Sequence, residues 1–244
     1  MRTLLIDADV LAYGCSAAKE KAYEWEPGFW TWHCDETEVR AAINEELDRL
    51  MSELDGTDFK LCLTDSEENF RKSILPTYKG NRAKVKKPLV LKAIREWMIE
   101  EKAAYLRPHL EGDDCMGILA TWSKLKGEKV IVSIDKDMKT IPGLYCRSPE
   151  EGIVEISEEE ADYHHLYQTL IGDQTDGYTG LPGCGPKKAL AILNEDPSWG
   201  AVVAAYEKAG LTEADALVQA RVARILRASD YDFKTKEPIL WRPS

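Results

Sequence analysis

Three short apolar runs along the chain each end in aspartates. They are TLLIDAD (residues 3–9), FKLCLTD (59–65) and KVIVSIDKD (129–137). Such runs are typical of buried strands, and an amphipathic helical pattern separates the first two, from residue 39 to residue 54. Strands that alternate with helices indicate parallel β-α-β units. Ligands of such sheets bind beyond the carboxyl ends of the strands, so we expect these aspartates to share one cleft.

Beyond about residue 157 the strand pattern gives way to helical spacing and turns. The segments SEEEADYHHLYQTLI, WGAVVAAYEKAG and TEADALVQARVARILRA all carry apolar residues at helical intervals. We therefore predict an α/β fold with a parallel sheet over residues 1–156 and a helical C-terminal part over residues 157–244. His164 and His165 lie on the first of these helices, and we assign them packing or surface roles.

The charge distribution is uneven along the chain. The formal net charge of −11 argues against a protein that coats nucleic acid without specificity, because that mode depends on a basic surface. Residues 71–95 nevertheless contain nine Lys and Arg residues and no Asp or Glu. We therefore predict one basic strip that crosses an acidic body.

The cysteines and apolar runs indicate a cytoplasmic protein. The six cysteines are widely separated, with no C-x-x-C pair, so we expect reduced thiols. No secretion signal is visible, and no charge-free apolar run reaches the roughly 18 residues that a membrane span requires. We expect no association with a membrane.

Further carboxylates join those at the strand ends. EGDDC (residues 111–115) opens a predicted helix, and GDQTDG (172–177) precedes a glycine-rich turn. Like charges about 4 Å apart repel by roughly 1 kcal/mol in water and roughly 4 kcal/mol at an effective dielectric near 20, so such a cluster requires cations. Ligands that are all oxygen suit Mg²⁺ first and Mn²⁺ next. Two such ions can hold a phosphate and activate a water. The predicted metal-binding set is Asp7, Asp65, Glu111, Asp113, Asp114, Asp135, Asp137, Asp173 and Asp176.

The nearby acid Asp9 differs from this set. Asp9 could also be a ligand, but because it comes only two residues after Asp7, we expect it to cap a helix or to support the ligands. Any single acid of the set, taken alone, is more often a helix cap or a solvated loop residue.

The turn GLPGCGPKKALAIL (residues 180–193) combines glycines with the start of a helix. Pro186 suits a first helical position, and the N–H groups there attract anions, with Lys187 and Lys188 in the same turn. Gly183 and Gly185 allow a ligand to approach the backbone closely. Taken alone, the turn is equally consistent with a plain helix–helix connection.

Taken together and in this order, the motifs resemble the 5′ nuclease (flap endonuclease) family. They are Asp7, Asp65, the EGDD cluster, DKD and GDQTDGYTGLPGCGPKKALAIL. More narrowly, TDSEENFRKSILPTYKGNRAKVKKP, LEGDDCMG, ARILR and the closing LWRP look like the 5′→3′ exonucleases of short-tailed coliphages. The resemblance covers nearly the whole chain, and it implies a PIN/5′-nuclease-like body whose helical C-terminal part contains a helix-three-turn-helix.

The resemblance also implies roles for individual residues. A first metal ion would be surrounded by Asp7, Asp65, Glu111, Asp113 and Asp114, and a second by Asp135, Asp137, Asp173 and Asp176. The segment PTYKGNR belongs to a helical gateway, about residues 66–95, that lies over the active site. Lys79 and Arg82 would contact the scissile phosphate, and Tyr78 would stack on a terminal base.

The remaining basic residues and the turn would bind DNA. The residues assigned to this role are Arg71, Lys84, Lys86, Lys87, Gly183, Gly185, Lys187 and Lys188, and the resemblance implies K⁺ beside the helix-three-turn-helix. A solvated loop is the alternative for the lysines from Lys84 to Lys87.

One segment departs from the family pattern. EWEPGFWTWHCDE (residues 24–36) holds four aromatic residues directly after the first strand and helix. We predict that it packs as a buried hairpin or core patch, because aromatic clusters usually pack. A stacking surface or a lid is the alternative.

The hypothesis that accounts for all these features is a Mg²⁺-dependent 5′→3′ exonuclease. It would act on 5′ ends of double-stranded DNA, with 5′-flap cleavage and RNA–DNA hybrids as related activities. The motif LLIDADVLA also resembles haloacid-dehalogenase-type phosphatases, but that mechanism leaves the basic strip and the turn unused. A PIN-type ribonuclease would not need the helix-three-turn-helix. A non-catalytic binder of DNA junctions would not need the acids.

Overall fold

The computed structural model describes residues 1–80 and 86–243, so Arg82 and Lys84 lie outside the described residues. In chain order, its strands are β1 (Arg2–Asp7), β2 (Lys21–Glu26), β3 (Phe29–His33), β4 (Asp58–Leu63), β5 (Tyr105–Leu106), β6 (Glu128–Val132), β7 (Gly143–Cys146), β8 (Ile153–Ile156), β9 (Tyr231–Asp232) and β10 (Glu237–Pro238). The main sheet has six strands in the order β5-β4-β1-β6-β7-β8. Neighbouring strands are parallel except β7 and β8, which are antiparallel. The predicted α/β fold is confirmed, and the antiparallel edge strand is an addition that the sequence pattern does not predict.

Helices lie on both faces of this sheet and continue beyond it. They are α1 (Ala8–Lys19), α2 (Glu36–Glu53), α3 (Arg71–Ile74), α4 (Leu91–Glu100), α5 (Gly112–Thr121), α6 (Glu158–Ile171), α7 (Pro186–Glu195), α8 (Trp199–Lys208) and α9 (Glu213–Ala223). Short 3₁₀ turns occur at Lys136–Thr140, Pro149–Glu151 and Ala228–Asp230. In the part of the chain that the structure describes, no helix is long and apolar enough to cross a membrane.

The alternation of side chains along β1 divides the body into two cores. Leu4 and Ile6 pack with buried residues of α1, α2 and α4 on one face, whereas Leu5 packs with α5 and with Ile225 on the other. This is the expected consequence of the two-residue period of a strand. β1 is thereby buried on both faces, and its C-terminal residue Asp7 is held firmly at the edge of the sheet.

The chain after residue 157 forms helices around a core of their own. Leu170, Leu193 and Tyr206 are almost completely buried in it, and the Tyr206 hydroxyl donates to the Thr169 carbonyl at 2.8 Å. His165 is buried and its Nε2 lies 2.8 Å from the Ala220 carbonyl; burial lowers its pKa to about 3, so it is neutral and has a packing role. The predicted helical C-terminal part is therefore observed.

The aromatic segment differs from the prediction. Residues 21–33 form an antiparallel hairpin of β2 and β3 that pairs with no other strand among the described residues. Every residue of both strands is exposed, including Trp25, Trp30 and Trp32. The prediction of a buried hairpin or core patch is wrong, because the pattern of a strand does not reveal whether another layer covers it.

Candidate active site

A cleft of about 170 Å³ lies at the carboxyl end of β1 and β6, beside the N-terminus of α5. Acidic side chains dominate its lining, with Tyr78 and Lys79 on one wall. Six of the nine predicted metal-binding residues line it: Asp7, Glu111, Asp113, Asp135, Asp137 and Asp176. The parallel topology explains this convergence, because β1 and β6 are neighbours that both deliver their C-terminal residues to the same edge.

Local hydrogen bonds hold these acids in place. Asp7 is the N-cap of α1, where its Oδ1 accepts from the Val10 N–H at 3.0 Å and its Oδ2 accepts from the Ser133 hydroxyl at 2.9 Å. Asp135 caps the following 3₁₀ turn by accepting from the Asp137 N–H at 2.8 Å. N-cap positions favour Asp because the carboxylate satisfies an N–H that lacks a helical partner.

Glu111 is surrounded by donors on the wall formed by the gateway. It is the N-cap of α5, and its carboxylate oxygens accept from the Lys79 ammonium at 2.5 Å and from the Tyr78 hydroxyl at 2.9 Å. Burial alone would raise the pKa of Glu111, but the charges of Arg71 and Lys79 more than offset this and lower it. Glu111 is therefore ionised in the cleft.

Lys79 connects the gateway to the loop that carries Asp176. Its N–H donates to the Asp176 carbonyl at 2.7 Å, and its ammonium lies 3.6 Å from the Asp176 carboxylate. Burial opposes the charge on Lys79, but Glu111 and Asp176 raise its pKa overall. Lys79 has a left-handed backbone (φ 53°), which is uncommon for a residue with a side chain. Its ammonium is thus held at the cleft in the charged form.

Three other cleft acids, Asp7, Asp113 and Asp137, are shifted towards their protonated form. Burial raises the pKa of Asp7, with a further contribution from Asp135. Burial, followed by the charges of Asp7 and Glu111, raises the pKa of Asp113 well above its usual value. Burial and Asp135 raise the pKa of Asp137 to about 6. Each shift reports a carboxylate that a nearby cation would stabilise in its ionised form.

The donor set fits a hard divalent cation. All the acidic donors are carboxylate oxygens, which are the ligands that Mg²⁺ and Mn²⁺ prefer. Among residues 1–80 and 86–243, however, no three acidic, His or Cys side chains already lie close enough to enclose an ion. Rotation of side chains is therefore needed to bring the carboxylates into contact with one cation.

Three predicted metal-binding residues do not line the cleft. The Asp65 carboxylate accepts from the N–H groups of Glu67 and His109 and so stabilises its own loop. The Asp173 carboxylate accepts from the N–H groups of Thr175 and Asp176, at the edge of the site. Asp114 is completely buried in an ion pair with Arg71. As positioned, none of the three faces the cleft.

Two predicted contacts to DNA are instead buried in the wall of the cleft. Arg71 was predicted to bind DNA, but its side chain is only 2% exposed and both Nη atoms donate to Asp114 at 2.7 Å. Tyr78 was predicted to stack on a terminal base, but the residue is only 3% exposed. Both corrections have the same cause: each side chain has a buried carboxylate partner that the local sequence pattern does not predict.

The remaining predicted DNA contacts are exposed. They are Lys86, Lys87, Gly183, Gly185, Lys187 and Lys188. Gly185 is the N-cap of α7, with Pro186 at the first helical position, and Gly183 has a left-handed backbone (φ 68°) with open space where a side chain would lie. The turn thus presents its backbone to solvent at the start of a helix.

Sequence reasoning missed several supporting residues. Arg95 forms an ion pair with Asp9, which also accepts from the Thr64 N–H at 2.8 Å. Asp9 also lines the cleft. The Ser133 hydroxyl, which follows β6, donates to the Asp7 carboxylate at the end of the neighbouring strand β1. Its place directly after β6 was the available signal, since residues that follow neighbouring strands meet at one edge.

The fold and the site together define the class of protein. A structure of bacteriophage T5 flap endonuclease, described as a pseudo-enzyme-product complex with DNA and metal ions, superposes with a TM-score of 0.70 at 14% identity and covers 91% of this chain and 89% of its own. That likeness shows a shared fold, the 5′ nuclease fold.

Sequence comparison gives the family. The model for the 5′-3′ exonuclease N-terminal resolvase-like domain matches residues 2–147. The exonuclease of Escherichia phage T7 is 34% identical over 98% of this chain and 93% of its own length. The exodeoxyribonuclease of Enterobacteria phage T3 is 32% identical over 98% and 92%. The chain belongs to the 5′-3′ exonuclease family, and it is an enzyme, a nuclease of that type.

Proposed function

We propose that this enzyme hydrolyses phosphodiester bonds from the 5′ ends of double-stranded DNA and requires divalent metal ions, with Mg²⁺ as the working ion. The observation that carries the proposal is the convergence of Asp7, Asp113, Asp135, Asp137 and Asp176 on one cleft whose wall presents the Lys79 ammonium. A phosphate diester needs cations around it to approach so many carboxylates. The T5 flap endonuclease, which has the same fold, is described with both DNA and metal ions.

The acids divide into two groups around the cleft. Asp7, Glu111 and Asp113 would hold one ion, and Asp135, Asp137 and Asp176 a second; Asp65, Asp114 and Asp173 would act through water or by positioning the others. When bound, such ions supply an activated water and stabilise the leaving oxygen. Asp7 and Asp135 are each held by hydrogen bonds from the backbone N–H groups that they cap. These two carboxylates would therefore need little movement to bind an ion.

The gateway residues would interact with the negative charge of the substrate phosphate. The Lys79 ammonium remains protonated at neutral pH because its pKa is raised, and it would exchange its contact with Glu111 for the scissile phosphate. The Tyr78 hydroxyl lies 2.9 Å from a Glu111 carboxylate oxygen and 3.2 Å from one of Asp176, and by donating its one proton to either it would orient these carboxylates. We retain Arg82 as a second phosphate contact in this proposal, although it lies outside the described residues.

The C-terminal part would hold the duplex. We assign the nuclease body to residues 1–156, with Asp176 added to its cleft by the C-terminal part. Duplex binding is assigned to residues 157–244, where the turn at Gly183–Lys188 would bind the phosphate backbone and K⁺ would lie beside it. Mn²⁺ as a substitute ion, 5′-flap and branched DNA, RNA–DNA hybrids and action in the host cytoplasm belong to the same proposal.

The test uses a linear duplex labelled internally and at its 5′ end, with Mg²⁺ or EDTA, and sizes the products on a denaturing gel. We expect Mg²⁺-dependent release of mono- or short oligonucleotides from the 5′ end. Asp135→Asn should abolish turnover without weakening DNA binding, whereas Asp48→Asn, an exposed acid on α2, should have no effect. An intact strand in a mobility-shifted complex with Mg²⁺ would instead indicate a DNA-junction binder.

Lys79 allows a second, sharper test. Single-turnover kinetics on Lys79→Ala should show a larger loss in the rate of cleavage than in DNA affinity, because the ammonium lies in the cleft. Lys72→Ala, an exposed change in the same gateway, is the matched control. A loss of affinity alone would make Lys79 a positioning residue.

A further inference from the structure

The hairpin of residues 21–33 exposes five large aromatic side chains. The exposed fractions are 49% for Tyr23, 69% for Trp25, 59% for Phe29, 50% for Trp30 and 49% for Trp32. None of these rings belongs to a buried hydrophobic cluster of the described residues. A two-stranded hairpin that buries no apolar face has little stability of its own, and a contiguous exposed apolar patch usually marks an interaction site.

The two faces of the hairpin are different. Tyr23 is paired directly with Thr31, and the Trp25 indole N–H donates to the Thr31 hydroxyl at 2.8 Å. Alternation along β3 places Phe29 on the same face as Thr31. One face therefore carries three uncovered rings, Tyr23, Trp25 and Phe29; we call it the three-ring face.

The opposite face carries Trp30 and Trp32. The Lys86 ammonium lies 3.1 Å from the centroid of Trp32, and Lys86 also forms an ion pair with Glu20 at 2.7 Å. This face is partly covered by the chain itself. Because Lys86 belongs to the basic strip of residues 71–95, the contact also places the hairpin next to the proposed DNA-binding region.

Several acidic side chains near the hairpin have cationic partners, but Glu26, which is exposed and paired with Phe29 across the hairpin, has none among the described residues. Glu20 is paired with Lys86, Glu38 with Lys21 and Glu36 with Arg40. Glu24 accepts from the Gly28 N–H in the turn. A surface of uncovered rings with little free positive charge suits the uncharged faces of bases better than a phosphate backbone. Stacking of bases on aromatic rings is also tolerant of sequence.

The distance between the cleft and the hairpin suits a short single strand of DNA. α1 begins next to the N-cap Asp7 in the cleft and has twelve residues, which corresponds to about 18 Å at 1.5 Å per residue. The hairpin begins two residues after α1 ends. That length corresponds to about five stacked nucleotides at roughly 3.4 Å each.

We propose that the three-ring face stacks on bases of an unpaired DNA strand that extends from the active-site cleft. This inference rests on the proposed function, since it assumes that DNA occupies the cleft. It adds a binding site outside the acidic cleft and the glycine turn, and it gives the enzyme a preference for ends that carry an unpaired 5′ tail.

The experiment compares the dissociation constants of two labelled DNAs in EDTA, measured by fluorescence anisotropy. One is a blunt duplex, and the other is the same duplex with an unpaired 5′ tail. We expect Trp25→Ala/Phe29→Ala to weaken binding of the tailed DNA by about tenfold or more and to leave the blunt duplex unchanged. Trp25→Phe/Phe29→Tyr, which keeps two rings, should restore most of the affinity.

Trp30→Ala is the matched control, because it removes a ring of similar exposure from the opposite face. Three results would each overturn the proposal: an unchanged affinity in the double variant, an equal loss of affinity for the blunt duplex, or an equal loss in Trp30→Ala. An unchanged affinity would indicate that the rings bind a protein partner instead. Mg²⁺-dependent cleavage of the blunt duplex is measured in parallel. Its absence in the unaltered enzyme would contradict the proposed function, while the binding comparison would still report on the hairpin.

Discussion

Arg71 and Asp114 form a buried bidentate ion pair, with both N···O distances at 2.7 Å. The Arg71 side chain is 2% exposed and that of Asp114 is 0% exposed. Arg71 also donates to the carbonyls of Val222 and Arg224, and Asp114 accepts from the N–H groups of Glu111 and Leu226. The pair therefore connects α3, α5 and the C-terminal end of α9 with the chain that follows it.

Removal of one partner of this pair should be strongly destabilising. Arg71→Met leaves the Asp114 carboxylate buried without its cation, which typically costs about 3–5 kcal/mol. We expect urea unfolding to show a loss of that order, and Lys72→Ala, the exposed neighbour, to show almost none. Equal stability of the two variants would mean that the pair makes no net contribution.

Asp113 and Asp114 are adjacent in sequence but should respond differently to metal. Asp113 lines the cleft and Asp114 does not. In Mn²⁺ titrations followed by electron paramagnetic resonance, we expect Asp113→Asn to weaken binding at least tenfold. Asp114→Asn, tested under conditions where circular dichroism shows it folded, should retain most of the affinity. A larger effect of Asp114→Asn would show that the carboxylate turns into the cleft when metal binds.

The cleft acids with raised pKa values should make the metal-free enzyme less stable as pH rises from about 4 to above 6, against a smaller opposite contribution from Glu111, whose pKa is lowered. The pKa of Asp137 is raised from 3.8 to about 6 by burial and by Asp135. In this window the folded state keeps a proton that the unfolded state has released, so the free energy of unfolding decreases with pH, on the order of 1–3 kcal/mol. The raised pKa values of Asp7 and Asp113 act in the same direction.

The measurement is chemical unfolding in EDTA across this pH range. Asp137→Asn should flatten the dependence, and Asp48→Asn should leave it unchanged. Addition of Mg²⁺ near pH 7 should restore stability, because the ion favours the ionised carboxylates. A profile that rises with pH in EDTA would contradict the assignment of Asp137 to an uncompensated cluster.

Gly172 is required by the loop that presents Asp173 and Asp176. It is the C-cap of α6 with a left-handed backbone (φ 67°), and an added Cβ would lie 2.3 Å from the Thr179 carbonyl carbon. We expect Gly172→Ala to lower the free energy of unfolding by about 2–4 kcal/mol and to reduce turnover.

Gly14, in α1, is the matched control for this glycine. An added Cβ there meets nothing within 4 Å, so Gly14→Ala should stabilise the enzyme by about 0.5–1 kcal/mol. The two variants can be compared by thermal unfolding at equal pH. Equal effects would show that the crowding at Gly172 is relieved by movement of the loop.

The hydrophobic pattern was sufficient for three of the six strands of the main sheet, β1, β4 and β6, and for the alternation of strands with helices in the body. Buried runs such as residues 3–7 and 129–132 are apolar because both faces of a parallel strand are covered. Their C-terminal aspartates share an edge as a consequence of that topology, so the convergence of Asp7, Asp135 and Asp137 was predictable. The hairpin of residues 21–33 was predicted wrongly, since periodicity describes a strand but not what lies over it.

By itself, the sequence determined the α/β topology and the edge of the sheet at which the acids collect, because backbone propensity and burial act over neighbouring residues. Only the tertiary structure decided which carboxylates face the cleft. Asp114 is turned away by Arg71, 43 residues distant, and Asp65 by the N–H of His109. Tyr78 is buried by contacts with Glu111 and Asp176. A charge that is buried without a partner is unfavourable because it loses its hydration. The role of each side chain therefore depends on the partners that folding brings next to it and not on residue type alone.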